Sequence, residues 1–394
     1  MDLTEALLQW YRANARDLPW RHTREPYPVW VSEIMLQQTR VAAVIGYYTR
    51  FLEAFPTLEA LAEASEEALL SLWQGLGYYS RARNLQKAAK EIVRRGGFPD
   101  TYEGLLSLPG IGSYTAGAIA SAAFGLPAPA VDGNVLRVMS RLTDNHGDIL
   151  SPQVRRGIEA QVRELFPAAE EDRRIFNQSL MELGATVCVP NGPPRCDACP
   201  VASYCLGRER GTAADLPIRA AKKERRIENR TVFVVLKENR VALRKRPGRG
   251  LLAGLWEFPN TAGTLTEAEA AETLKAWGLT VTEWRGKLNA KHIFTHMEWR
   301  MSGYLVSVTG ADSAKTDADA GKARANRGKA GADAGKFVWA DAVELREYAI
   351  PSAFGRYREA ASDWIAEASQ MPDANGITEA SRTPDANPVT EEII

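Results

Sequence analysis

Two acids and four thiols are the residues whose types and surroundings point to chemistry. The first acid is Glu33, within WVSEIMLQQTR (residues 30–40). This stretch reads as the start of a helix, with Ser32 as its N-cap and Ile34, Met35 and Leu36 behind it. On a helix, positions 30, 33 and 37 share a face. Two readings are open. Glu33 is a first-turn acid that favours the helix dipole, or it is a proton donor whose pKa is raised by Trp30, Val31, Ile34 and Leu36. The second acid is Asp132, in AVDGNVLRVMSRL (130–142), just before a new apolar-periodic stretch. It is expected to be an N-cap. At a helix N-terminus it should keep a low pKa and stay ionised. A protonated, apolar-flanked Glu33 and an anionic Asp132 suit cleavage of a glycosidic bond through a cationic sugar.

The four cysteines all lie between 188 and 205, in CVPNGPPRCDACPVASYC. Cys188, Cys196, Cys199 and Cys205 are spaced C-x7-C-x2-C-x5-C. A disulfide framework would scatter cysteines over a small secreted domain, so one tight cluster argues for a metal site. By ligand type, four thiolates suit zinc or an iron–sulfur cluster equally. A structural zinc usually comes with two C-x2-C knuckles, and only one is present. The wider, proline-containing spacings favour a loop around a larger object, a 4Fe–4S cluster.

These residues need elements to hold them. LPGIGSYTAGAI (108–119) has Gly110, Gly112 and Gly117, and the first two permit a tight turn between helices. Such a turn exposes backbone N–H groups at the start of the next helix, an anion site suited to phosphate. Plain helix packing is the other reading. Residues 1–206 read as a mostly helical domain, with amphipathic stretches at 66–73 and 80–95. Residues 207–230 read as a linker, whose eight Lys and Arg against four acids give a local +4. It suits either a phosphate backbone or solvent. From 231 to 365 an α+β domain is expected. TVFVVLKENRVALRKR forms two strands about a turn at Glu238-Asn239, LWEFP a third strand, EAEAAETLKAWG a helix, and HIFTHMEWRMSGYLVSV is strand-rich. Residues 309–336, mostly Ala, Gly, Asp and Lys, read as a disordered insertion. Residues 366–394, which carry PDAN twice, read as a disordered tail.

The bulk numbers agree with this organisation. The chain has 394 residues, 45% hydrophobic and 25% charged, which is ordinary for a soluble protein of two or three domains. Its net charge is +0, so binding to nucleic acid must come from local patches. The N-terminus lacks a basic region followed by an apolar run, so no secretory signal is expected. No run of 18 apolar residues exists, so no membrane span is expected. A cytoplasmic, nucleoid-associated monomer is the expectation.

The LPGIG hairpin, the following VDGNV and the downstream four-cysteine loop resemble the endonuclease III superfamily of DNA glycosylases, all-α helix–hairpin–helix enzymes with an iron–sulfur loop. Within it, DLPWR, WVSEIMLQQTRV, GLGYYSRARNL, FNQSLMELGA and the extra C-terminal domain resemble the adenine DNA glycosylases of the MutY type. The match runs over about residues 7–360. The resemblance implies base-excision repair on double-stranded DNA: excision of adenine mispaired with 8-oxoguanine or guanine, leaving an abasic site. It implies Glu33 as the acid that protonates adenine and later activates water. Asp132 would stabilise the oxocarbenium ion, as an ion pair or covalently, with Tyr114 and Asn134 as neighbours. Arg16, Trp20, Leu36, Gln178 and Glu182 would line the adenine pocket. Gln38, Thr39 and Tyr78 would wedge into the duplex. The spacing of Gln178 and Glu182, four apart on one helix face, suits the polar edge of a flipped base, though it also suits a solvated face.

Bifunctional relatives similar to endonuclease III carry a Lys just after the hairpin. Here that position is Tyr114, which cannot form a Schiff base, so a monofunctional enzyme is expected. The C-terminal domain resembles a Nudix-like recognition domain. EAAETLKAWGL stands where a Nudix pyrophosphohydrolase has its R-E-x-x-E-E helix, and it lacks that glutamate cluster. The domain should therefore read 8-oxoguanine through Phe294, Thr295 and His296. Two features depart from the family: the x7 first cysteine spacing, more often x6, and the 309–336 insertion. Two rival functions remain: an oxidised-pyrimidine glycosylase with lyase activity, and a non-enzymatic DNA-binding protein.

Overall fold

The computed structural model describes residues 2–220, 224–294, 296–310 and 337–370. Helices build the first part in chain order: α1 (Leu3–Asn14), α2 (Pro26–Leu36), α3 (Val41–Ala54), α4 (Leu58–Glu63), α5 (Glu66–Leu72), α6 (Ser80–Arg95), α7 (Tyr102–Leu106), α8 (Ser113–Phe124), α9 (Gly133–Leu142), α10 (Pro152–Glu164), α11 (Glu170–Thr186) and the short α12 (Leu206–Glu209). Several starts are set by side-chain caps. Thr57, Ser65 and Thr101 each accept a hydrogen bond from the backbone N–H three residues on. α6 stops at Gly96 and α8 at Gly125, both left-handed.

The α2 helix corrects one expectation. It begins at Pro26, with Glu25 at the N-cap position, so Ser32 is not a cap. Ser32 is buried inside the helix and its hydroxyl donates to the Val29 carbonyl. Pro26 and Pro28 sit in the first turn, where a missing N–H costs nothing. Glu33 therefore lies in the last turn, at the negative end of the helix dipole, and the dipole reading of this acid fails.

The helical part has two apolar cores. One gathers Trp30, Met35, Phe51, Leu61, Trp73 and Ile119 from α2 to α8. The other gathers Leu7, Val138, Met139, Ile158, Phe176 and Leu180 from α1, α9, α10 and α11. Helix α8 packs on both α2 and α11, so it spans the boundary between them. Glu33 comes from the first side of that boundary and Asp132 from the second.

The C-terminal part is a seven-stranded mixed sheet. Its strands are β1 (Arg226–Lys237), β2 (Arg240–Lys245), β3 (Trp256–Glu257), β4 (Asn260–Ala262), β5 (Leu279–Ile293), β6 (Met297–Gly310) and β7 (Val338–Ala340). The path is β3-β2-β1-β6-β5, with β4 on β1 and β7 on β2; β1 and β6 are parallel, and the other pairs antiparallel. β1 is buried on both faces. Val232 and Val234 face Phe258, Phe354 and Tyr357, whereas Phe233 and Val235 face Leu274 and Tyr304. α13 (Glu267–Ala276), opened by a Thr266–Glu269 capping box, lies on the second face. The short α14 (Glu344–Glu347) and α15 (Gly355–Gln370) follow, and α15 covers the first face.

Three boundaries differ from the sequence reading. β1 starts at Arg226, not 231, because RIENR pairs with β6 from the Arg226–Met297 register onward. Residues 207–220 do not hang free: Ala213 and Leu216 are buried, and Ile149 N–H donates to the Ile218 carbonyl. α15 continues to Gln370, past the expected tail start at 366. Thr309 and Gly310 belong to β6; the rest of the 309–336 insertion and of the tail lies outside the described residues.

The two parts meet directly. Leu255 and Ala349 from the sheet domain are buried in the first helical core. Arg83 Nη2 donates to the Ala253 carbonyl at 2.7 Å while its Nε holds Glu66, and Gln74 Nε2 donates to the Ile350 carbonyl.

Candidate active site

Glu33 sits under the hairpin helix. The Tyr114 hydroxyl donates to Glu33 Oε2 at 2.7 Å and touches Met181 Sδ at 3.8 Å. Burial pushes the Glu33 carboxyl up to about 7, the Tyr114 hydrogen bond pulls it partly back, and the charge of Asp132 raises it again. Burial and the same two carboxylates raise Tyr114 far above its ordinary value, so it remains a neutral donor.

Asp132 caps α9 as expected. Its Oδ1 accepts from the Asn134 and Val135 N–H groups and its Oδ2 from Asn134 Nδ2, each at 2.8 Å. The expected low pKa is corrected: burial lifts the carboxyl above its usual value, and the three hydrogen bonds with Arg137 only limit the rise. Desolvation outweighs the helix end here because the cap lies between the two cores instead of in water. Asn134 is itself fixed. Its Oδ1 accepts from Arg137 Nη2, and Arg137 also binds the Gly184 and Cys188 carbonyls. Gly184 has no room for a side chain, since a Cβ there would stand 2.7 Å from Asn134 Cβ.

Of the expected base-pocket residues, the structure joins three. Glu182, fully buried, takes a two-pronged bond from Arg16 and a further one from Arg21 Nη2 at 2.7 Å. Burial alone would raise Glu182, but these guanidinium groups hold it at about 2. Gln178 Oε1 accepts from the Tyr11 hydroxyl, and the Arg21 guanidinium lies over the Tyr11 ring. Trp20 and Leu36 belong to the first helical core instead, Trp20 edge-on to Tyr48. Both Glu182 oxygens are thus engaged with guanidiniums, and Arg21 is a member of this group that the sequence did not disclose.

The hairpin is as the glycines suggest, with a difference between them. Gly110 has φ +76, and a Cβ there would stand 2.6 Å from Asn84 Cβ. Gly112 caps α8 with an extended backbone, and its missing side chain faces open space. Gln38 and Tyr78 are both non-glycine residues with left-handed φ, +61 and +48. Tyr78 is 51% exposed and looks into a cleft of about 690 Å³ between the two parts of the molecule. Leu251, Leu252, Phe294 and His296 line the other side. Phe294 is braced edge-on by His292 and Trp299. Thr295 lies outside the described residues.

The four thiols line one recess with Val138, Leu142, Leu183 and Arg141. Among the described residues no three His, Cys, Asp or Glu side chains are grouped closely enough to hold one metal ion. Four thiols lining one recess form a donor set that suits either zinc or an iron–sulfur cluster. Arg141 Nη1 donates to Cys188 Sγ at 3.2 Å.

Residues 31–165 match the model of the HhH-GPD superfamily base excision DNA repair proteins, and residues 231–360 that of the NUDIX domain. Curated relatives include the adenine DNA glycosylases of Homo sapiens (37% identical, covering 79% of this chain and 68% of the relative) and Rattus norvegicus (38%, 79% and 71%). The chain belongs to the adenine DNA glycosylase family. Among solved structures it is similar to a thermostable thymine-DNA glycosylase, 29% identical with a TM-score of 0.48, covering 52% of this chain and 95% of that one.

For this adenine DNA glycosylase family member, the sequence missed the residues that hold the site together. Asn177 is one: its Nδ2 donates to Ser121 Oγ and the Ala128 carbonyl, and its Oδ1 accepts from Ala130 N–H, fixing the segment that leads to Asp132. Arg21, Arg81 and Arg137 are others. Their only sequence signal is their place inside the motifs DLPWR, GLGYYSRARNL and VDGNVLR. No helix of the described residues is long and apolar enough to cross a membrane.

Proposed function

We propose that this enzyme hydrolyses the N-glycosidic bond of adenine mispaired with 8-oxoguanine or guanine in duplex DNA. The observation that carries this reading is a part-buried carboxyl lifted to about 7 by desolvation, held by a neutral tyrosine and raised further by the charge of a second carboxylate that is itself fixed at three points. Tyr114 occupies Glu33 Oε2, leaving Oε1 to bear the acid proton. Glu33 protonates an adenine flipped into the pocket. The C1′–N9 bond breaks, and its electron pair leaves with the base. Asp132 stabilises the cationic sugar, and Glu33, now anionic, takes a proton from the attacking water. Arg16, Gln178 and Glu182 border the base.

Schiff-base chemistry has no amine here. Residues 1–220 contain two lysines, Lys87 and Lys90, both on exposed positions of α6. The Nudix-like domain serves recognition: Phe294 stacks on the base opposite adenine, and Thr295 and His296 hydrogen-bond to it. Within α13, Glu269 is spent on the capping box. Cys188, Cys196, Cys199 and Cys205 would hold a 4Fe–4S cluster, whose part is to tie the loop to α9 and α11. Gly110 and Gly112 present backbone N–H groups to a phosphate.

The test is a panel of duplexes carrying adenine opposite 8-oxoguanine, adenine opposite thymine, and thymine glycol opposite adenine. The expected result is excision from the first alone, strand breakage only after alkali, and no borohydride-trapped adduct. Release of thymine glycol with a trapped adduct would transfer the assignment to the oxidised-pyrimidine enzymes. Tight binding without any excision would leave only a DNA-binding role.

A further inference from the structure

Gln38 and Tyr78 stand on two separate segments, and one buried side chain holds both. Arg81, on the first turn of α6, is 9% exposed. Its Nη1 donates to the carbonyls of Ile34 (2.7 Å), Met35 (3.0 Å) and Gln37 (2.5 Å). Its Nη2 donates to the carbonyls of Leu76 (2.9 Å) and Gly77 (3.2 Å), and to Thr39 Oγ1 at 3.4 Å. The guanidinium lies between the Trp73 and Tyr78 rings, 5.4 and 5.5 Å from their centroids. Ile34 and Met35 are in the last turn of α2, one turn or less from Glu33. Arg81 therefore closes the helix that carries the acid, and it ties both left-handed residues to that helix end.

We propose that Arg81 is a positioning residue for base extrusion, setting the spacing of the Gln38 and Tyr78 segments and locking it to the Glu33 helix. This rests on the reading of the chain as a base-flipping glycosylase. The physical need is plain. Left-handed backbone at Gln38 and Tyr78 is unfavourable for residues with a Cβ, so it persists only where surrounding contacts over-determine it. A planar fork can reach carbonyls on both segments at once; an ammonium, with three donors about one point, cannot. Burial lowers the Arg81 pKa only to about 10, so the fork stays charged at physiological pH. Charged donors to carbonyls are the stronger kind of hydrogen bond. The Arg81 side chain is buried, so its effect passes through Gln38, Tyr78 and Glu33.

The experiment uses the full chain with Arg81→Lys and three readouts. These are single-turnover excision of adenine opposite 8-oxoguanine, fluorescence of 2-aminopurine at the target position, and affinity for a duplex bearing a tetrahydrofuran abasic analogue there. Positioning predicts excision slower by about 100-fold, loss of the fluorescence rise, and abasic affinity within about threefold of wild type, because an abasic site needs no extrusion. Wild-type excision by folded Arg81→Lys overturns the proposal. So does an abasic affinity that falls by the same factor as the rate, which marks a merely structural role. Should Arg81→Lys fail to fold, Gly77→Ala serves: it has φ +69 with open space at the Cβ, so a methyl strains only the loop. It should lower excision about tenfold with abasic affinity kept, and unchanged excision by it overturns the proposal equally. Excision by the wild type in the same assay fixes the substrate reading separately.

Discussion

Glu33 has a folded-state pKa of about 7 against an ordinary value of 4.5, so the folded protein holds this proton more tightly than the unfolded chain. The sign follows: between about pH 4.5 and 7, stability falls as pH rises. Glu33→Gln escapes this. Its melting temperature should match wild type below pH 4.5 and exceed it at pH 8, while excision is lost; calorimetry across that range checks the sign. The single-turnover rate of the wild type should fall above about pH 7 as the acid ionises. Glu182 behaves oppositely. Held at about 2 by Arg16 and Arg21, it contributes stability above the ordinary carboxylate range, and that contribution is lost as pH falls toward 2. Glu182→Gln should cost about 3 kcal/mol at pH 7, with the gap to wild type closing in acid. The desolvated surroundings of Glu33 were legible because its apolar neighbours are local in sequence. The start of its helix was not, since Pro26 and Pro28 look like breakers and are tolerated in a first turn. Arg81 and Arg137 were illegible for another reason: most of their partners are backbone carbonyls 4 to 51 positions away, and these have no sequence signature.

At the scale of elements, the hairpin between α7 and α8 makes an exacting demand on the backbone at Gly110. Gly110→Ala places a methyl against Asn84 in a left-handed conformation, and should cost about 1–3 kcal/mol. It should also weaken DNA binding most at low salt, where phosphate contacts count for most; equilibrium unfolding and salt-dependent binding check both. Gly112→Ala meets open space and should leave stability nearly unchanged. Helix α6 follows the expected 80–95 span, since amphipathic spacing and the Gly96 stop agree. Much of β5 escaped notice. It is an edge strand, mostly exposed, and LTVTEWRGKLNAKHI carries charge where alternation would mark a buried face.

At the scale of the molecule, the two parts share a cleft and a direct join. Arg83 spans it, from Glu66 to the loop that carries Leu251 and Leu252 against Tyr78. Arg83→Ala should lower the preference for 8-oxoguanine over guanine opposite adenine by about tenfold, or 1.4 kcal/mol. The melting temperature should hardly move, because partly exposed ion pairs contribute about 0–1 kcal/mol. The change from helix period to strand alternation showed two domains, but not their join. RIENR reads as a charged linker until β6 is there to pair with it. The central claim is tested most directly by single-turnover excision from adenine opposite 8-oxoguanine and adenine opposite thymine, with wild type and Glu33→Gln side by side. Excision from the first duplex only, abolished in the variant, is the predicted result. Undiminished excision by a folded Glu33→Gln would contradict it.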